Sequence, residues 1–224
     1  MIRLSNVSKV YDTRGGPLTV LRNVEFVCEP GERIAILGAN GGGKSTLLRI
    51  VAGVSQPTAG TVERRMSTSW PLGFGGAFHG ALTGRDNVKF IARIYGVPAD
   101  PVLDEVMSFS ELGRFIDEPV KTYSSGMRAR LAFGLTLAID FECILIDEVV
   151  AVGDSRFREK SERRLFGERT RDRAMIVISH DTDYLQRHCK KAYLVWAGNV
   201  VPFARFADAA DEYRRLMASM SSRP

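Results

Sequence analysis

Residues 38–46 of the chain read GANGGGKST, and Gly38 to Ser45 fit the pattern G-x-x-x-x-G-K-[ST]. Glycines let consecutive backbone N–H groups point inward around phosphate oxygens, at φ/ψ values that side chains disfavour. Lys44 would neutralise the outer phosphates, and the Ser45 hydroxyl would ligate Mg²⁺. The apolar run RIAIL before the motif and the helical pattern LLRIVAG after it provide the strand and helix that this chemistry requires. We therefore predict a nucleotide-binding phosphate loop rather than a plain glycine-rich turn.

The residues predicted to contact the nucleotide phosphates are Gly38, Ala39, Asn40, Gly41, Gly42, Gly43, Lys44, Ser45 and Thr46. A helix that begins near Lys44 would direct the positive end of its dipole towards the same anion.

Two carboxylates follow an apolar strand later in the chain, in the segment CILIDE. Ligands of parallel α/β sheets bind beyond the carboxyl ends of the strands, so Asp147 and Glu148 would lie near the phosphate loop. Asp147 would hold Mg²⁺ directly or through water, together with Ser45. Glu148 would orient and polarise the attacking water as a general base. An Asp-Glu pair at a strand end is by itself weak evidence for a magnesium and hydrolysis site. In combination with the phosphate loop, it becomes strong evidence.

His180 follows the next apolar strand, in the segment AMIVISHD. A lone histidine is often structural, but its position at the same edge of the sheet favours a sensor of the γ-phosphate. Ser124 and Gly126, in the segment YSSGM, lie at a predicted helix start. Such a serine is either an ordinary N-cap or a phosphate ligand, and the residues alone leave both open.

The bulk composition is that of a soluble globular chain of 224 residues, with 45% apolar and 25% charged residues. Its net charge of +5 is compatible with nucleic acid or an anionic membrane surface, and also with neither. The densest charged stretch, residues 158–173, interleaves acids and bases, which favours a solvated helix face over a nucleic-acid track.

The cysteines and the hydropathy pattern bear on cellular location. Three cysteines, Cys28, Cys143 and Cys189, show no metal-ligand spacing. The odd count, and a start without a signal peptide, predict a reducing, cytosolic compartment. No segment approaches the ~20 apolar residues of a transmembrane helix.

The order of predicted elements indicates an α/β fold. Residues 1–37 alternate apolar and polar side chains, typical of an antiparallel β layer that leads into the strand RIAIL. Residues 84–140 show helical spacing and predict an inserted helical subdomain. Short apolar strands separated by helices then predict a mostly parallel sheet. Residues 192–203 predict a β-hairpin that turns at Gly198-Asn199, and a last helix is predicted after it.

Taken together, these motifs resemble those of the ATP-binding cassette (ABC) ATPases, a class of P-loop NTPases, over essentially the whole chain. GANGGGKS resembles the Walker A motif of the family, ILIDE the Walker B motif with its glutamate, and YSSGM the signature sequence. His180 matches the switch histidine, and AVGD, which ends at Asp154, occupies the D-loop position. Tyr11 lies where the family has an aromatic that stacks on adenine, although a lone tyrosine could equally be strand packing.

The resemblance implies ATP and Mg²⁺ as ligands and a head-to-tail homodimer. Each ATP would lie between the Walker A motif of one subunit and the signature of the other. The signature and D-loop residues implied to bind nucleotide are Ser124, Ser125, Gly126, Met127 and Asp154. An isolated monomer would then bind ATP and hydrolyse it poorly.

A finer resemblance is to the ATPase subunit of capsular polysaccharide exporters of Gram-negative bacteria. Residues 69–96, YSSGMRARLAFG and DEVVAVGDSRFREK carry it. One departure from the general cassette pattern is the missing Q-loop glutamine, since the chain has only Gln56 and Gln186. Residues 74–79 fill that stretch, and His79, a backbone group or water could replace the amide.

This resemblance implies one nucleotide-binding domain over residues 1–224. It consists of a RecA-like core plus β layer (about 1–83 and 141–205), the helical subdomain (about 84–140) and a short C-terminal helix (about 206–220). The chain would act at the cytoplasmic face of the inner membrane as a peripheral ATPase, with a separate transmembrane permease. About twenty residues follow the hairpin, too few for a carbohydrate-binding domain, so the permease would handle the polysaccharide.

Three alternatives to this function remain. The same ATPase could serve another lipid-linked polymer, of the O-antigen or teichoic-acid type. A soluble cassette ATPase that acts on DNA or ribosomes usually has tandem cassettes or a long coiled-coil insertion, and neither is present, so we expect no nucleic acid. A non-catalytic scaffold is disfavoured because Glu148 and His180 are both in place.

Overall fold

The computed structural model describes residues 1–72, 78–147 and 155–221. These residues form two compact units. The first contains residues 1–71, 142–147 and 172–221, and the second contains residue 72, residues 78–141 and residues 155–171. The predicted helical subdomain, about 84–140, thus lies within the second unit, which also contains a further helix.

A three-stranded antiparallel sheet belongs to the first unit. Its strands are β1 (Ile2–Thr13), β2 (Gly16–Cys28) and β4 (Ala59–Arg64), and they lie in the order β2-β1-β4. Alternate side chains point to opposite faces of a strand, so Leu4 and its cross-strand partner Phe26 are buried together on one face. The predicted antiparallel layer is confirmed.

A five-stranded sheet is parallel except for its last strand. Its strands are β3 (Arg33–Leu37), β5 (Cys143–Asp147), β6 (Ala174–Ile178), β7 (Lys191–Trp196) and β8 (Asn199–Phe203), in the order β5-β6-β3-β7-β8. The central strands are continuous apolar runs, such as AMIVI in β6, and all five residues of β6 are buried. This pattern is expected when both faces of a parallel sheet are covered.

The hairpin between β7 and β8 forms where it was predicted, but its turn lies one residue earlier. Trp196 pairs with Asn199, so the two turn residues are Ala197 and Gly198. Both have positive φ, 48° and 82°, as a type I′ turn requires of its two central residues. The prediction of a turn at Gly198-Asn199 was wrong because asparagine tolerates positive φ as well, and only the register decides between the two dipeptides.

The first unit also contains α1 (Lys44–Val51), α6 (Thr182–His188) and α7 (Phe206–Ser221). The apolar face of α1 enters the main core, where Leu47, Leu48 and Val51 are fully buried among residues of both sheets. This packing fixes the helix behind the phosphate loop.

The second unit is helical and contains α2 (Gly84–Ile94), α3 (Ala99–Ser110), α4 (Ser125–Ala138) and α5 (Ser155–Phe166), with short 3₁₀ segments between and after them. Phe109 of α3 is central to its core, since its ring lies 5.6 Å from that of Phe133 and 5.5 Å from that of Phe157. None of the helices in the described part of the chain is long and apolar enough to span a bilayer.

Candidate functional site

Two glycines of the phosphate loop, Gly38 and Gly43, lie so close to neighbouring backbone that a side chain would fit only if a neighbour moved. Gly38 has φ 150°, and a Cβ built on it would lie 2.3 Å from the carbonyl oxygen of Val195. Gly43 has φ 106°, and its Cβ would lie 3.1 Å from the carbonyl oxygen of Val20. A Cβ on Gly41, in contrast, would meet nothing within 4 Å. The loop is therefore fitted against β7 and β2 at its two ends.

We expect Gly38→Ala to lower the free energy of unfolding by at least about 3 kcal/mol, because overpacking and backbone strain add. ATP binding should be lost with the shape of the loop. Gly41→Ala is the matched control. Gly41 also has a positive φ, 75°, but a Cβ added there would have no neighbouring atom within 4 Å. The control substitution should cost about 1–2 kcal/mol. Chemical denaturation measures the free energy of unfolding of both variants. If both lost the same amount relative to the wild type, the close approach of Val195 to Gly38 would not explain the effect.

Lys44 is the first residue of α1, and its ammonium group lies over the phosphate loop. Its Nζ donates to the carbonyl oxygens of Gly38 (2.8 Å) and Ala39 (3.0 Å), and the residue is 7% exposed. The loop is closed further by a hydrogen bond from the Gly42 N–H to the Ala39 carbonyl at 3.1 Å. A positive charge and the N-terminal N–H groups of a helix are thereby brought to one place, which is a site suited to an anion.

The exposure of the next residues suits contact with a ligand. Ser45 and Asn40 are exposed, and Thr46 and Ala39 are half-buried. The individual roles predicted for residues 38–46 stay predictions.

Arg64 anchors the other end of α1 and was not singled out from the sequence. Its Nε donates to the carbonyl of Val51 at 2.9 Å, and a second nitrogen donates to the carbonyl of Ile50. These are carbonyls that the end of a helix leaves without intrahelical partners. Burial lowers the pKa of Arg64 from its ordinary value, but a guanidinium stays charged at any physiological pH. Within the run VERR, nothing distinguishes this arginine from a surface charge.

Three strand ends meet at the edge of the parallel sheet where the phosphate loop begins. In the register of the sheet, Ile36 of β3 pairs with Ile178 of β6, which pairs with Asp147 of β5. Neighbouring strands lie about 4.8 Å apart, so the half-buried Asp147 lies at the level of the start of the loop, two strands away. A carboxylate and a serine hydroxyl are the oxygen ligands that Mg²⁺ prefers.

His180 lies two residues beyond Ile178 at this same edge and is exposed. The following residue, Asp181, caps α6, because its Oδ1 accepts the N–H of Tyr184 at 2.9 Å. The Asp181 N–H in turn donates to the hydroxyl of Ser179 at 3.1 Å. The chain on both sides of the histidine is thus held by short local hydrogen bonds. Its role as a phosphate sensor stays a prediction.

Tyr11 lies on β1, half-exposed, with Leu18 of β2 as its cross-strand partner. The Nζ of Lys9 lies 5.0 Å from the centroid of its ring, a cation–π distance. Adenine stacking by Tyr11 stays a prediction. Glu148 and Asp154 lie outside the described residues, and the roles assigned to them from the sequence stay predictions as well.

The signature segment begins α4 with a side-chain cap. The Oγ of Ser124 accepts the N–H of Met127 at 3.2 Å. Ser124 and the next residue, Ser125, are both exposed. A capping hydroxyl still has its own proton to donate, so the cap and a phosphate contact do not exclude each other. Gly126 and Met127 are half-buried. Just before the cap, the buried Tyr123 donates its hydroxyl to the carbonyl of Phe115, which fixes the chain at the helix start.

Asn87 organises the segment before α2 and was missed from the sequence. Its side chain is 1% exposed, and its Oδ1 accepts the N–H of His79 at 2.8 Å. Its Nδ2 group, with two hydrogens, lies within hydrogen-bonding distance of the carbonyls of His79, Leu82 and Thr83, at 3.1, 3.3 and 2.8 Å. This amide, together with backbone hydrogen bonds such as that from the Lys121 N–H to the Gly80 carbonyl at 2.8 Å, holds residues 79–83 in place. Residues 73–77 lie outside the described residues, so what replaces the missing Q-loop glutamine stays open.

The chain matches the ABC transporter family over residues 21–151. It is 54% identical to the ATP-binding protein BexA of Haemophilus influenzae over 88% of the chain and 91% of the relative. It is 51% identical to the capsule polysaccharide export ATP-binding protein CtrD of Neisseria meningitidis over 96% of the chain and 100% of the relative. Relatives whose names refer to O-antigen or teichoic acid export are 34% to 37% identical.

Among solved structures, the fold matches that of the dimeric ATP-binding cassette MJ0796 in a post-hydrolysis state bound to ADP and phosphate. The TM-score is 0.76 at 24% identity, over 89% of the chain and 96% of that structure. This chain belongs to the ABC transporter family and has the fold of its ATPase cassettes. Membership implies that ATP is bound and hydrolysed.

Proposed function

We propose that the protein is the ATP-hydrolysing subunit of an exporter that moves capsular polysaccharide across the inner membrane. The observation that carries the chemistry is the ammonium group of Lys44 over a glycine loop, at the sheet edge that also bears Asp147. The choice of cargo is supported by 51% identity to a capsule polysaccharide export protein over nearly the whole of both chains.

The residues divide the work of phosphoryl transfer. Backbone N–H groups of residues 38–46 and the Lys44 ammonium bind the phosphates. They also stabilise the negative charge that develops on the phosphate oxygens as the bond to the terminal phosphate breaks. Mg²⁺, when bound through Ser45 and Asp147, supplies further neutralisation of phosphate charge. Glu148 orients and deprotonates the attacking water, and His180 contacts the terminal phosphate. Tyr11 stacks on adenine.

The working unit in this proposal is a homodimer attached to a transmembrane permease. Ser124, Ser125, Gly126, Met127 and Asp154 of one subunit complete the nucleotide site of the other. Closure on ATP and reopening after hydrolysis would reach the permease through the second unit, near residues 74–90. The protein would be peripheral at the cytoplasmic face of the inner membrane, and the permease would handle the polysaccharide.

The second candidate is the same ATPase with another lipid-linked polymer as cargo. Relatives named for O-antigen and teichoic acid export support it, but at 34% to 37% identity they are clearly less similar than CtrD. The ATPase chemistry is the same for both candidates, so only the cargo distinguishes them.

Deleting the gene and restoring it on a plasmid tests the proposal. Loss of surface polysaccharide, measured by immunoblot and chemical analysis of the cell surface, is expected after deletion. The wild-type gene should restore it, and Lys44→Ala should not. Normal surface polysaccharide together with intracellular build-up of a different lipid-linked glycan would show that the cargo is another polymer.

A further inference from the structure

The second unit contains a wide-open cavity of about 660 Å³ whose lining is rich in positive charge. Its lining includes four cationic side chains but a single carboxylate, that of Glu105. The cations are Lys160, Arg163, Arg164 and Arg169. Nothing in the ATPase mechanism above uses these residues.

The cations come from two short elements whose geometry gathers them. Lys160, Arg163 and Arg164 stand at positions i, i+3 and i+4 of α5, which share one face of a helix. Arg169 lies in the 3₁₀ segment Glu168–Thr170 that follows. The acidic residues of α5, Glu159 and Glu162, are not part of the lining. The sequence alone predicted that residues 158–173, with their mixed charges, form a solvated helix face. In the structure, four of the cations of this segment line the cavity and the two glutamates of α5 do not.

Glu105 holds two of the guanidinium groups at once. Arg169 pairs with it through two hydrogen bonds, of 2.7 Å to Oε1 and 3.3 Å to Oε2. Arg164 donates to the same Oε1. A carboxylate shared in this way fixes the direction of both planar groups while it neutralises only one of them. The two arginines are therefore positioned, and one positive charge between them is left uncompensated.

Lys160 is held by partners other than Glu105. Its Nζ donates to the carbonyl of Phe109 at 2.9 Å and to Oε1 of Glu111 at 2.6 Å. The hydrogen bond from Lys160 lowers the pKa of Glu111 from its ordinary value. Even when Glu111 is counted, four cations face two carboxylates.

Arg163 is exposed, and among the residues that the structure describes it makes no ion pair and no side-chain hydrogen bond. Like charges brought together on one face destabilise a helix unless an anion offsets them. An arginine without a partner beside three positioned cations leaves room for such an anion to be bound by several groups at once.

We propose that this cavity binds a small anion that carries a phosphate monoester. The planar forks of arginine match the oxygens of phosphate, and lysine adds a point charge. The volume lies in the range of small-molecule sites, about 300–1,000 Å³. The phosphate is either that of a soluble metabolite or the headgroup of an anionic lipid, and these two sources share the chemistry that the site recognises.

The test uses two probes with the same headgroup, glycerol 3-phosphate and vesicles of phosphatidylcholine with and without phosphatidic acid. All variants carry Lys44→Ala, so that the phosphate loop contributes little. Binding of glycerol 3-phosphate is followed by NMR titration, and binding of vesicles by co-sedimentation. The pocket variants are Arg163→Gln alone and Arg163→Gln with Arg169→Gln. Arg93→Gln, which removes an exposed arginine of α2 in the same unit, is the matched control.

The double variant should weaken binding at least about tenfold, the effect of losing one charge-assisted hydrogen bond or more, and the control less than about twofold. Loss confined to glycerol 3-phosphate identifies a soluble ligand, and loss confined to phosphatidic acid vesicles identifies a lipid headgroup. The proposal is wrong if neither probe binds, or if Arg93→Gln weakens binding as much. Arg163→Gln keeps the test decisive if the double variant fails to fold, because its side chain makes no ion pair or hydrogen bond within the described part of the chain.

Discussion

Lys44→Ala is expected to lower the affinity for ATP by at least about a hundredfold, which corresponds to about 3 kcal/mol of lost charge-assisted contacts. The ammonium group is 7% exposed and lies at hydrogen-bonding distance from two loop carbonyls. It is therefore already positioned where phosphate charge would be neutralised, and alanine offers no charge to take its place. Calorimetric titration with Mg²⁺ and ATP measures the loss.

Lys190→Ala is the control, because it removes an exposed lysine from the same unit and should leave the affinity unchanged. Thermal unfolding must accompany both measurements, since Lys44 also closes the phosphate loop through its hydrogen bonds to Gly38 and Ala39. A folded Lys44→Ala protein that binds ATP as tightly as the wild type would remove the basis for assigning the loop to phosphate.

The sequence predicts those parts of this site in which backbone geometry or ligand chemistry allows only one or a few residue types, at a fixed distance along the chain from one another. A glycine at 38 is required by a positive φ and by the approach of Val195, and a lysine follows at the helix start. The strand CILID could be recognised in the same way, because a short apolar run that ends in an acid is typical of a buried strand with a polar group at its carboxyl end. Local rules of this kind need no knowledge of distant contacts.

The parts that could not be predicted depend on contacts with particular backbone groups, which the residue types and their spacing do not reveal. Arg64 caps the end of α1 across thirteen or more residues, and nothing in the run VERR singles it out. Asn87 looks like an ordinary polar residue of an amphipathic helix until its hydrogen bonds to residues 79–83 are seen. The hairpin turn was misplaced by one residue because alanine, glycine and asparagine all occur there at or next to positive φ, and the register of β7 against β8 decides which two residues form the turn.

Ser124 belongs to the signature segment and also caps α4. The sequence left an N-cap and a phosphate ligand open, and the structure shows the cap. The same hydroxyl keeps its proton for donation, so the cap does not prevent the proposed contact with a phosphate bound to a second subunit. The two functions are compatible, so the contribution of Ser124 must be tested in a dimer rather than in the isolated chain.

Glu148→Gln is expected to bind ATP but to hydrolyse it at least about a hundredfold more slowly, the usual contribution of a general base. Glu148 follows directly in the sequence after Asp147, which is the last residue of β5. The amide keeps the size of the side chain while it removes the base, so ATP would hold two subunits together without being consumed. With Mg²⁺ and ATP, the variant should elute from size-exclusion chromatography at twice the mass of the 24.8 kDa chain.

Two further variants separate a trapped dimer from a general effect of lost charge. Glu63→Gln removes a half-buried carboxylate of β4, which pairs only with the exposed Arg65 among the described residues, and should leave turnover and elution as in the wild type. Adding Lys44→Ala to Glu148→Gln should abolish the dimer, because closure depends on bound ATP. A Glu148→Gln protein that stays monomeric with Mg²⁺ and ATP, and that turns over at the wild-type rate, would show that the base is another residue.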